Sequence, residues 1–179
     1  AITKAELEKY SKKLKVQATT DSLTGLANRR KITELLEKGL NEIANNSKDN
    51  INIIMLDIDF FKKVNDTYGH PMGDEVIKVI SNHMQDVIGK EGIVGRFGGE
   101  EFLTILYNED ITYVYKLADE IREEIKEKNI GFEGKKISVT VSMGIACSSE
   151  SLNMQDILDT ADKRLYEAKE SGRNKVIFN

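Results

Sequence analysis

The sequence predicts an α+β domain: a central antiparallel sheet with a βαββαβ core flanked by helices, entered through an N-terminal lead-in helix. Three observations carry that expectation. The apolar run Ile51 to Asp57 has the length of a strand. Ile93 to Phe97 and Glu101 to Tyr107 read as two strands joined across Gly98-Gly99, where glycine would accept the positive φ of a tight turn. Around them, Val76, Ile77, Val79, Ile80, Met84, Val87 and Ile88 follow helical spacing, and Asp110 to Lys128 reads as a helix with Asp110 as its N-cap.

Residues 1 to 19 are rich in Lys, Glu and Ala, and Leu7, Tyr10 and Leu14 recur at helical steps. Two heptads are too few to specify a coiled coil, so a dimerising stalk and a solvated lead-in helix both fit. A second helix starts near Asn28 and carries Ile32, Leu35, Leu36, Leu40 and Ile43 on one face, and Asn45 to Asn50 is a polar loop. After the hairpin and the Asp110 helix, Lys136 to Ala146 alternates as one strand. A helix from Met154 to Ser171 stops at Gly172, and Lys175 to Phe178 is a final strand. From residue 51 to 146 the order β-α-β-β-α-β is the split βαβ, or ferredoxin-like, pattern. Right-handed crossovers then set the first strand beside the Gly-Gly hairpin at the centre of one antiparallel sheet. No repeat or second composition regime divides the chain, so residues 20–179 read as one domain after the lead-in.

The 179 residues carry a formal net charge of −4, which gives no overall basic field for nucleic acid or anionic lipid. Phosphate binding would have to rest on a local cluster of Lys and Arg. The one cysteine, Cys147, follows an apolar run and reads as a small buried thiol rather than a nucleophile. It has no partner for an internal disulfide, which suits a reducing, cytoplasmic setting. The apolar stretches are too short to span a bilayer and no signal peptide is apparent, so no membrane contact by this chain is expected. The chain begins with Ala, as a processed protein or a piece of a longer one would, and leaves room for a membrane anchor outside it.

Asp57-Ile58-Asp59 stands at the end of the first central strand, and Glu100 and Glu101 follow Gly98-Gly99 at the hairpin tip. Either motif alone is usually a polar turn. Together, at adjacent strand ends, they bring carboxylates to one point, as hard cations such as Mg²⁺ require. Such a site suits metal-dependent phosphoryl or nucleotidyl transfer. No P-loop or dinucleotide-binding fingerprint occurs, and Cys and His do not cluster as for zinc.

Arg96-Phe97-Gly98-Gly99-Glu100-Glu101-Phe102 resembles the signature of the GGDEF family of diguanylate cyclases, in its Glu-for-Asp form. Three further segments match that family in order. They are Asp21-Ser22-Leu23-Thr24-Gly25-Leu26-Ala27-Asn28-Arg29-Arg30; Asp57 to Lys62 with Asn65-Asp66, Gly69-His70 and Gly73-Asp74; and Ala161-Asp162, Leu165-Tyr166, Ala168-Lys169 and Gly172-Arg173-Asn174.

The resemblance implies a palm-type domain that condenses two GTP into cyclic di-GMP and two pyrophosphates. It implies two Mg²⁺ per active site, with Mn²⁺ as a substitute, held by Asp57, the carbonyl of Ile58 and Glu100. Glu100 would also help deprotonate the attacking ribose 3′-hydroxyl, with Glu101 positioning its neighbours. Lys62, Lys169 and Arg173 resemble the triphosphate clamp, joined by the amides of Phe60 and Phe61. Asn65 and Asp74 would read guanine, whose N1–H and N2–H donors a carboxylate accepts and whose place adenine cannot take. His70 resembles a position near substrate, though holding the Gly69 turn would explain it equally. A homodimer is implied, because one domain offers one GTP site and the product joins two GTP. The family's inhibitory Arg-x-x-Asp is replaced by Gly89-Lys90-Glu91-Gly92. The rival reading is a catalytically silent GGDEF module that senses GTP or mediates dimerisation.

Overall fold

A computed structural model describes residues 3–45 and 49–179. The middle of the loop expected at Asn45 to Asn50 lies outside the described residues. A lead-in helix α1 (Lys4–Thr19) starts at a capping box in which Thr3 and Glu6 exchange hydrogen bonds. α2 (Arg29–Ala44) is capped by the side chain of Asn28. The body continues with β1 (Ile51–Ile58), α3 (Phe61–Tyr68), α4 (His70–Ile88), β2 (Gly92–Arg96) and β3 (Glu101–Tyr107). It ends with α5 (Ile111–Glu127), β4 (Ile130–Phe132), β5 (Lys135–Ile137), β6 (Val141–Cys147), α6 (Met154–Glu170) and β7 (Val176–Ile177).

The main sheet has the order β2-β3-β1-β6-β7. β1 lies antiparallel between β3 and β6, and β2 pairs with β3 as the hairpin, so the four core strands take the expected arrangement. β7 adds a fifth strand, parallel to β6, so the sheet is mixed rather than wholly antiparallel. Every residue of β1 is buried, because helices cover both faces of the sheet. Ile54, Leu56 and Ile58 pack with the apolar sides of α4 and α5, while Ile51, Ile53 and Met55 pack with α2 and α6. Burial on both faces is why β1 reads as an unbroken apolar run. α6 lies on β6 so closely that a Cβ at Gly144 would run into the carbonyl of Ala161.

Three sequence expectations are corrected. Lys136 to Ala146 is two strands, with β4 and β5 forming a separate hairpin about Glu133 and Gly134, whose φ of 47° and 78° suit a tight two-residue turn. The chain also forms α3, and α4 begins at His70 rather than Gly73. Cys147 is half-exposed at the end of β6, with its Sγ 2.8 Å from Ser149 Oγ, because the strand leaves the core there. Among the described residues, no helix is long and apolar enough to cross a membrane.

Candidate active site

The ends of β1 and β3 meet where the sequence places its carboxylates. Asp57 stands opposite Glu101 in the β1–β3 register, and Ile58 donates its N–H to the carbonyl of Glu100 at 3.3 Å. The turn between β2 and β3 closes on itself, with Phe97 and Gly98 N–H groups donating to the Glu101 carbonyl at 2.8 and 3.1 Å. Neither Gly98 nor Gly99 adopts positive φ, contrary to expectation. Gly98 is needed for space, since a Cβ there would meet the Glu101 carboxylate.

Asp57 is buried and pairs with the Lys169 ammonium at 2.8 Å. Burial pushes the Asp57 carboxyl above the usual range, and Lys169 only partly offsets it. Burial first, and then the charge of Asp57, also raise the carboxyls of Glu100 and Glu101. Three carboxyl groups that resist ionisation together, with an ammonium already drawn to one of them, fit a divalent cation. Among the described residues no three metal-ligating side chains form a closed cage. Carboxylates at two strand ends leave most of a divalent cation's coordination to water and ligand oxygens.

Asp59, next along the chain, faces inward. Its carboxylate accepts from Thr140 Oγ1 and Ser142 Oγ at 2.7 Å each and from the Asn174 N–H at 3.0 Å. It thereby fastens the loop after α6, which carries Arg173, to the end of β1. The Arg173 guanidinium lies 4.4 Å over the ring of Phe60. Phe60 takes a left-handed φ of 56° as the N-cap of α3 and supplies no capping side chain. The first N–H groups of α3, beginning at Phe61, are therefore left for an anion.

A groove of about 510 Å³ beside this turn is lined by Lys62, Asn65, His70, Asp74 and Glu100, among others. The Oδ1 of Asn65 is buried without a hydrogen-bond partner among the described residues. A Cβ at Gly73 would fill the space in front of that oxygen. An orphaned acceptor in a glycine-made recess suits a ligand N–H. The Gly69 turn, with φ of 88°, is held by its own backbone, and the exposed His70 side chain makes no hydrogen bond among the described residues. The sequence-expected residues thus gather around one edge, with Lys62 in the groove, Lys169 at the carboxylates and Arg173 at the Phe60 turn.

Sequence reading missed Asp21 and Arg96 as a pair. Arg96 Nη1 lies 3.2 Å from both carboxylate oxygens of Asp21, and its Nη2 donates to the Gly99 carbonyl at 2.7 Å. Both residues stood within matched motifs, which was the available signal.

Comparison with known proteins gives the family and the fold. The family described as "Diguanylate cyclase, GGDEF domain" matches residues 18–175. Diguanylate cyclase A of Treponema denticola is 38% identical over 164 residues, covering 90% of this chain and 44% of that protein. The response regulator PleD of Caulobacter vibrioides is 36% identical over 163 residues, 89% of this chain and 36% of that protein. The chain thus spans less than half the length of these two curated relatives. Among solved structures, the coiled coil and GGDEF domain of DgcB from Caulobacter crescentus, in complex with c-di-GMP, superposes with a TM-score of 0.93. Its identity is 31%, over 98% of this chain and 93% of that one. The active GGEEF domain of a diguanylate cyclase from Vibrio cholerae gives a TM-score of 0.78 at 30% identity, over 86% of this chain and 97% of that one. With its signature turn, carboxylate cluster and two-sided sheet, the chain belongs to the GGDEF family of diguanylate cyclase domains.

Proposed function

We propose that this chain is an active diguanylate cyclase domain that joins two GTP into cyclic di-GMP. The observation that carries the reading is the groove shared by Asn65, Asp74, Lys62 and Glu100. Its lining sets Asn65, Asp74, Lys62 and Glu100 around one concavity, which supports a site that both reads a base and reacts. A module that only senses GTP has no need of Glu100.

Asn65 and Asp74 accept the N–H donors of guanine, the orphaned Asn65 oxygen gaining the partner it lacks. Amide groups at the Phe60–Phe61 turn, with Lys62 and Arg173, hold the triphosphate and offset charge gathering on the leaving pyrophosphate. Asp57, the Ile58 carbonyl and Glu100 would hold Mg²⁺, two ions per site with Mn²⁺ as a substitute. Bound there, the metal supplies charge stabilisation and acidifies the attacking hydroxyl. Glu100 accepts the proton of a ribose 3′-OH, and the freed oxygen bonds to the α-phosphorus of the facing GTP as the bond to pyrophosphate breaks. The reverse attack closes the ring, releasing two pyrophosphates and two protons in all. Lys169 and Glu101 flank the reacting groups and set their charge.

Each domain offers one GTP site, so two copies face each other during the reaction. α1 presents Leu7, Tyr10, Leu14 and Val16 to solvent, each more than half exposed, which supports residues 1–19 acting as a pairing stalk ahead of a catalytic unit at 20–179. Incubation with GTP and Mg²⁺, followed by chromatography, tests the activity. Cyclic di-GMP with two equivalents of pyrophosphate is expected. GTP that binds at a concentration of paired chains but is recovered unchanged would establish a silent module instead.

A further inference from the structure

The Phe60 turn has a second side. A cavity of about 680 Å³ opens between α3, the β4–β5 hairpin and the C-terminal end of α5, walled in part by Lys63, Lys126, Lys136, Thr67, Tyr68 and Ser138. None of these six residues lines the guanine-side groove. Three lysines from three elements border one concavity in a chain of formal net charge −4. Lys126 has Glu123 at 3.4 Å, on an exposed flank of α5. Among the described residues, Lys63 and Lys136 have no carboxylate within 4.0 Å. The acidic group in the wall, Asp59, is buried and has its oxygens turned to Thr140, Ser142 and the Asn174 amide rather than to the lysines.

Three ammonium groups around one concavity, two of them with no carboxylate within 4.0 Å among the described residues, outnumber the acidic groups beside them and raise the local concentration of anions. The hydroxyls of Thr67 and Tyr68 add donors suited to phosphate oxygens, and that of Ser138, 3.5 Å from Asn129 Oδ1, lies beside them. Two aromatic rings border the opening, Tyr68 at 41% exposure and Phe60 at 60% with Arg173 over one face, and a free flat face of this kind accepts a stacked base. The volume lies within the range of small-ligand pockets. We propose that this cavity is a second anion site, which takes a di- or triphosphate group, either free as pyrophosphate or carried on a nucleotide. The site is separate from the groove at Asn65 and Glu100, and it stands whether or not the chain is an active cyclase. Asp59 and Phe60 line it, so its occupancy bears directly on the turn that opens α3.

Amide spectra of the chain without metal, titrated with pyrophosphate and separately with ATP, test the site. ATP is chosen because its adenine does not match the acceptors Asn65 and Asp74. Saturable shifts are expected at Thr67, Lys136 and Ser138. A Lys126→Ala, Lys136→Ala double variant should weaken that binding about tenfold or more, while GTP still perturbs Asn65 and Asp74 as before. Equal affinity for the two probes assigns the site to the oligophosphate alone, and tighter ATP binding assigns part of it to a base on Phe60 and Tyr68. No saturable shift at these amides in millimolar pyrophosphate or ATP, or unchanged affinity in the double variant, overturns the proposal.

Discussion

Arg96 is clasped by Asp21 from 75 residues away, with Nη1 at 3.2 Å from each carboxylate oxygen, while the same guanidinium holds the Gly99 carbonyl. The Arg96 N–H also donates to Ala27, and Asn28 and Arg30 bond to the Ala18 carbonyl at the end of α1. The lead-in helix is therefore wired to the signature turn by a short chain of polar contacts. Asp21→Ala leaves a half-buried guanidinium with one acceptor fewer. It should cost about 1–3 kcal/mol of stability, read by denaturant titration. Activity should fall further than the loss of folded protein explains, because Gly99 and Glu100 lose their support. Activity that simply tracks the folded fraction would confine Asp21 to a structural role.

Acid titration should separate two kinds of carboxylate. Burial opposes ionisation of Asp21, but the Thr24 hydroxyl and amide with Arg96 outweigh it and hold its pKa below the ordinary range. That contribution is present above the unfolded-state pKa and is lost as pH falls through the folded one. Asp57, Glu100 and Glu101 run the other way. Their folded pKa values are raised, so what they contribute below the unfolded pKa is lost as pH rises through the folded values. Glu100→Gln should thus hold or raise Tm at neutral pH without metal, abolish product, and flatten the stabilisation that added Mg²⁺ gives the parent chain. A lower Tm with intact turnover would remove Glu100 from the site.

Gly73→Ala probes the base recess. The added methyl takes the space facing Asn65 Oδ1, so GTP should bind roughly tenfold more weakly or worse. Steady-state kinetics should show the change mainly in KM. Asp74→Ser, which removes the carboxylate without filling the groove, should instead relax the preference for GTP over ATP, measured as a ratio of kcat/KM values.

Removing residues 1–19 should raise the enzyme concentration at which specific activity reaches half its maximum, by about tenfold or more if the exposed apolar stripe of α1 pairs two chains. Dilution series of both forms, with light scattering at each concentration, measure this. Monomers that keep full specific activity at nanomolar concentration would contradict both the stalk and the facing-site mechanism.

Micromolar cyclic di-GMP should not inhibit. The places of the family's Arg and Asp are taken by Gly89, whose φ is 54°, and by Gly92, where a Cβ would meet the Ile105 carbonyl. Glu91 between them is occupied with the Tyr113 hydroxyl at 2.7 Å. Loss of a bidentate Arg contact and a carboxylate–guanine contact lowers affinity on the order of a hundredfold or more. Calorimetric titration of the Glu100→Gln chain is the measurement, and submicromolar binding of two product molecules per domain would refute the prediction.

The sheet was legible because its central strand is buried on both faces and its hairpin is marked by two glycines. Carboxylates at the two strand ends were legible for the same reason, since adjacency follows from topology. What escaped reading was what depends on contacts between distant segments. Asp59 looks like a ligand beside Asp57, yet three donors from β6 and the last loop consume it. The reason for Gly98 is a neighbouring side chain rather than a dihedral angle. α3 is short and buries only Phe61 and Val64, too little periodicity to stand out beside its motif residues. The Ser138–Thr140 break between β5 and β6 likewise follows from a tertiary contact, with Thr140 bonded to the backbone and side chain of Asp59.

The close seat of α6 on Gly144 makes the helix a lever with its fulcrum near Ala161. Lys169 lies eight residues along from that point, about 12 Å at the rise of an α-helix. A single methyl at position 144 would act as a shim beneath the fulcrum, and the far end would travel further than the shim is thick. A residue with no functional group, on the face of the sheet covered by α2 and α6, in this way sets how far an ammonium reaches toward Asp57.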